Sequence, residues 1–159
     1  MDDRKQVRIF MGVIGTLGII MLFAAIYLLP QLIDFSINTY PEIAYLARPV
    51  GIIVVVSAIP FFVVLIQTFM LSKYILSDVI YTDKPLKALS IISIASIIIC
   101  FLFFVVLILF LANDYFTPLL AIILFLVILS SLIIGMFSKI LHILVKKATI
   151  LKIDSDLTI

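Results

Sequence analysis

Charge is scarce in this chain. Asp, Glu, Lys and Arg make up 13% of its 159 residues and hydrophobic residues 65%, against about 25% and about 45–50% in a soluble domain. That composition excludes a soluble globular protein. Cysteine occurs once, as Cys100, so an intrachain disulfide and a cysteine-rich metal site are both excluded. Cys100 falls inside an apolar run, where a small buried residue is a simpler reading than a reactive thiol. Histidine also occurs once, as His142, and reads as a residue at the membrane edge rather than a ligand. The patterns His-Glu-x-x-His and Gly-x-Ser-x-Gly and a phosphate-binding loop are missing. No Asp, Glu, Lys or Arg lies deep in an apolar run, where such residues mark proton relays and ion paths. An enzyme and a proton-coupled transporter are both poor readings, and no cofactor or metal is expected.

What the chain has is four long apolar runs. A crossing helix needs roughly 20 apolar residues, and the runs fall at 9–29, 47–71, 88–112 and 119–141. The fold expected is therefore all-α: an integral membrane four-helix bundle forming one domain over 1–159, with a tail at 142–159. The first run ends in YLLPQ rather than a small-x-small cleavage site, so an uncleaved span is expected instead of a signal peptide. Gly12, Gly15, Thr16 and Gly18 place small residues on its first turns. They suit close approach of another helix, or express the general enrichment of glycine in membrane helices.

The segment 30–46 reads as a connector whose Ile33, Ile37 and Tyr40 share a helical face, fit for a short helix lying in the interface. The second run carries Pro60 mid-span, which removes a backbone donor and is expected to kink the helix. Ser57, one turn earlier, is a candidate to satisfy the freed group. Gln67 and Thr68 are the deepest strongly polar pair, placed to bond another helix or contact a ligand. Thr82 or Asp83 is expected to cap the third helix, with Pro85 tolerated in its first turn. Ser90, Ser93 and Ser96 recur every three residues along that helix, a row suited to close helix contact or cross-helix hydrogen bonds. The short turn 113–118 requires the third and fourth spans to be antiparallel neighbours. Past the fourth span, Ile140, Leu141, Leu144, Val145, Ala148 and Leu151 keep helical spacing, so the helix is expected to run on as an amphipathic stalk.

Orientation follows from the basic residues. Ten of the eleven lie at the chain start, in the 72–87 loop or around the fourth span's end and tail, and only Arg48 lies on the other side. The positive-inside rule then puts both termini in the cytosol.

Three stretches together resemble one family: AYLARPVGIIVVVSAIPFFVVLIQTFMLSKYI, the loop leading to PLKALSIIS, and LVKKATILKIDSDLTI. The family comprises small bacterial membrane proteins known as domain-of-unknown-function family 2975. The likeness rests on the AYL-x-x-P motif opening span two, SAIPFF at Ser57 to Phe62, Lys73-Tyr74, and DLTI at Asp156 to Ile159. The chain departs from the pattern in opening span three with Ala88-Leu89-Ser90 and in carrying Ser155-Asp156 before the final Leu-Thr. The resemblance implies four spans in a bacterial cytoplasmic membrane and no known activity. It further implies a small helix-turn-helix regulator as a signalling partner.

Two functional readings result. One is a non-enzymatic membrane regulator or adaptor that binds a cytosolic helix-turn-helix partner, without touching nucleic acid itself. Its expected contacts are Lys73, Lys84, Lys87, Lys146, Lys147, Asp154, Asp156, Leu157 and Ile159. The other is a small transport or channel component working as a homo-oligomer, with hydroxyls lining its path. A transporter carries paired polar groups at the midplane. Here the distinctive residues gather on the cytosolic side, which favours the regulator.

Overall fold

The structure is a computed structural model that describes residues 3–77, 79–115 and 117–157; the side chains of Asp3, Ile43, Asp156 and Leu157 are not among those described. Its helices are α1 (Asp3–Phe23), α2 (Leu29–Thr39), α3 (Ala44–Leu76), α4 (Asp83–Ala112) and α5 (Pro118–Leu157). A π-helical turn, Ala24–Leu28, joins α1 to α2, and a 3-10 turn, Pro41–Ile43, joins α2 to α3. No strand occurs among the described residues.

Pro30 does not end the first helix. Proline lacks the N–H that an α-helix needs and crowds the carbonyl four residues back. Here the chain widens just before it: the Leu29 N–H donates to the Ala24 carbonyl, five residues earlier. A π turn of this kind is one way a membrane helix absorbs a proline. The segment expected to be a connector is thus helical to Thr39 and continuous with the first span, rather than a separate interfacial helix.

The remaining helices pack in chain order. α4 is the centre, with α3 on one side and α5 on the other, while α1 and α2 add thinner contacts against α3. Because α4 has two neighbours its buried face is broad, comprising Pro85, Ala88, Leu89, Ile92, Ser93, Ala95, Ser96 and Val106. Half of these residues are alanine or serine. The bulky Ile94, Ile97, Phe101 and Phe104 of the same helix face outward. Small side chains inside and large apolar ones outside is the arrangement a helix adopts when its solvent is hydrocarbon.

Close approach is clearest at Gly135. A Cβ added there would lie 3.4 Å from both the Ser93 carbonyl oxygen and the Ser96 Cβ. At Gly51 a Cβ would come within 2.5 Å of the Ile33 Cδ1, so this glycine lets α2 seat on α3. Gly12 and Gly15 face open space: a Cβ added at either would meet no described atom within 4 Å.

Candidate functional site

Polar chemistry collects at the two ends of the bundle, and one cross-helix bond joins its interior. In the interior, the Ser93 hydroxyl donates to the Gly135 carbonyl at 2.9 Å, buried between α4 and α5. Among the described residues it is the one serine or threonine hydroxyl that bonds across helices. Ser96 is buried at the same contact and Ser90 is half-buried. Several other hydroxyls of the apolar regions bond back to their own helices: Ser57 to the Val54 carbonyl (2.7 Å), Thr68 to Val64 (2.8 Å) and Ser131 to Ile128 (2.9 Å). Ser57 therefore does not serve the Val56 carbonyl, the group deprived of its donor by Pro60. Pro60 itself is buried within the helical run Ala44–Leu76. Gln67 is half-buried, and Thr68 lines a groove with Gln6, Val7 and Phe10 of α1.

At the end where α3 begins, two phenols tie α3 and its leading turn to the α4–α5 turn. Tyr45 donates to the Asn113 side-chain oxygen (3.1 Å), and Tyr115 to a Glu42 carboxylate oxygen (3.1 Å). The Asn113 amide is held in turn by the Leu109 carbonyl (2.7 Å). The turn is tight enough to put Asp114 at φ 57°, in the left-handed region. Donating to Glu42 raises the Tyr115 pKa, with desolvation and the negative charge of Glu42 acting in the same direction.

At the opposite end the α3–α4 loop meets the far end of α5. The His142 Nδ1 lies 2.9 Å from the Leu86 carbonyl, so in the tautomer protonated there it donates across helices. Ten residues further on, the Lys152 ammonium sits 4.5 Å from the centroid of the Tyr81 ring, a cation–π contact. The Thr82 hydroxyl donates to the Val79 carbonyl (2.9 Å), so Thr82 occupies the N-cap position of α4 without capping it by its side chain.

The expected partner contacts split accordingly. Lys84, Lys87, Lys146, Lys147 and Asp154 are exposed on the two segments that meet. Lys73 is exposed on the last turn of α3, its ammonium 5.3 Å from the Phe69 ring centroid. The side chains of Asp156 and Leu157, and Ile159, lie outside the described residues. The helix runs on to Leu157, and the stripe its spacing predicts is divided: Leu141 and Val145 are half-buried, the rest exposed. Leu141, His142, Val145 and Thr149 turn inward, while Ile140, Leu144, Ala148 and Leu151 are exposed. Tyr81, Asn113 and Tyr115 are contacts that sequence reasoning missed, because their partners lie far away in the chain.

Four described helices, 4–39, 44–76, 83–112 and 118–155, are long and apolar enough to cross a bilayer. Their outward surfaces are isoleucine, leucine and phenylalanine, a surface for lipid rather than for water. These features define a polytopic α-helical membrane protein. Within that class the chain belongs to the family described as protein of unknown function DUF2975, whose model matches residues 32–159. It is 30% identical over 145 residues to the uncharacterized membrane protein YoaS of Bacillus subtilis (strain 168), covering 90% of this chain and 91% of that protein. No solved structure matches it significantly.

Proposed function

We propose that this chain is a non-enzymatic regulator or adaptor of the bacterial cytoplasmic membrane, with both termini in the cytosol, that binds a cytosolic helix-turn-helix partner. The observation that carries the reading is the overhang of α5. Its 40 residues extend about 60 Å, twice the roughly 30 Å hydrocarbon core. The overhang does not stand alone, because Lys152 on Tyr81 and His142 on Leu86 lay it along the α3–α4 loop. One surface then carries exposed Lys84, Lys87, Lys146 and Lys147 beside exposed Leu144 and Leu151, the latter 70% accessible. Exposed leucines among lysines, past the end of a span, suit a protein partner better than water.

A kink at Pro60 belongs to this proposal as the device that shapes the span leading into the loop. The alternative, an oligomeric transport component with a hydroxyl-lined path, has less support. Ser93 and Ser96 are occupied in the α4–α5 contact, and Ser57, Thr68 and Ser131 are turned to their own backbones.

Deleting 155–159 tests the reading. Expression and topology remain, and a helix-turn-helix protein that co-purifies with the full chain from native membranes is lost. If the shortened chain keeps the same soluble partners, the tail is not the contact and the loop lysines Lys84 and Lys87 are next. If the full chain captures no such protein, the adaptor reading fails.

A further inference from the structure

Where α1 would meet α4 and α5 if the bundle were closed, the structure has a cleft instead, with a volume of about 490 Å³. It lies at the π turn. It is lined by Ala24 and Ala25 of that turn, Ser57 and Ala58 of α3, Phe103 of α4 and Val127 of α5. Its volume falls in the roughly 300–1,000 Å³ range of ligand sites. A second, smaller hollow of about 200 Å³ shares Leu29, Leu32 and Val54 with it and continues toward the end where α3 begins.

We propose that this cleft is a binding site for one acyl chain of a bilayer phospholipid. The lining fixes the chemistry. Ser57 is its one polar side chain, and that hydroxyl is already committed to the Val54 carbonyl at 2.7 Å. Water or a polar ligand would find no partner there, and an unpaired polar group in such surroundings is costly. A hydrocarbon chain is thin enough to run the length of both hollows. The π turn and the alanines keep the space open, and π turns inside α-helices recur at functional sites. This inference rests on the membrane character of the chain and is independent of the adaptor reading.

The test uses the full chain in vesicles of phosphatidylethanolamine and phosphatidylglycerol containing a phospholipid with a photoactivatable acyl chain. Peptide mapping is expected to find label concentrated on 24–32 and 54–62 rather than on the lipid-exposed stretch 132–137 of α5. Native mass spectrometry of the detergent-purified chain is expected to retain one phospholipid. Ala58→Phe and the milder Ala25→Leu fill the space, and either should weaken retention about tenfold, equivalent to about 1.4 kcal/mol. Label spread evenly over the exposed surface of the unmodified chain overturns the proposal without reference to the variants. So does retention that the filling substitutions leave unchanged. Displacement by unlabelled polyprenol but not by phospholipid would assign the cleft to isoprenoids. An intermolecular disulfide from Ala58→Cys in a Cys100→Ala background would assign it to a second copy. Either result overturns the acyl-chain proposal.

Discussion

Ser93 and Gly135 join α4 to α5 through a hydroxyl and the backbone that the missing side chain exposes. Hydrogen bonds across membrane helices contribute about 0.6–2 kcal/mol, so Ser93→Ala should lower unfolding stability in micelles by that amount. Gly135→Leu should cost more, about 1–3 kcal/mol, because overpacking forces backbone as well as side chains to move. Equal effects would mean that the hydrogen bond, not the close approach, holds the contact. The Tyr115–Glu42 bond is the corresponding fixture at the other polar site, and it depends on pH. Its phenol has a folded pKa raised above the ordinary value of about 10. The bond's contribution is therefore fully present below about pH 10 and is lost as pH rises through the folded pKa. An ultraviolet titration should show one late-ionising tyrosine that disappears in Tyr115→Phe. If that substitution leaves the titration curve unchanged, the bond does not form.

At the scale of elements, the π turn is the feature that sets how the first helix meets the third. Replacing Pro30 by Ala removes the reason for the widened turn, and 24–28 should return to α geometry. The helix beyond would then rotate and draw Ile33 away from Gly51. Paired cysteines at 33 and 51, in a Cys100→Ala background, should cross-link in the parent chain and fail to do so once Pro30 is Ala. Retained cross-linking would show that the π turn does not depend on the proline. The same element marks the limit of what the sequence discloses. Hydropathy locates four helices, because runs of 20 apolar residues admit few other structures. A proline followed by polar residues reads as a helix end by local rules, and only tertiary packing decides that a π turn carries the helix through. The stripe past the fourth span, 140, 141, 144, 145, 148 and 151, was legible as a helical run, but spacing alone could not say that only Leu141 and Val145 of it turn inward. Of the serine row, Ser93 and Ser96 are buried and Ser90 half-buried, a difference that three-residue spacing does not disclose. Tyr45 with Asn113 and Tyr115 with Glu42 were not legible, being pairs 68 and 73 residues apart with no local signal.

For the whole molecule, the placement of charge makes a topology expectation. Reporter fusions at Asn38 and Asp114 should report the outside, and fusions at Asp78 and Ile159 the cytosol. An inside signal at Asp114 would overturn the hairpin of α4 and α5. The packing order has a consequence for biosynthesis as well. α4 is the hub, yet it is the third span to leave the ribosome. Until it emerges, the first half has only the thin contacts of α1 and α2 on α3 to hold it together, while α3 lacks its main neighbour. The first half of the chain must therefore wait in the insertion machinery or in lipid, unconsolidated, until α4 arrives. Quality-control proteases would meet this protein most vulnerable at the moment when half of it has been made.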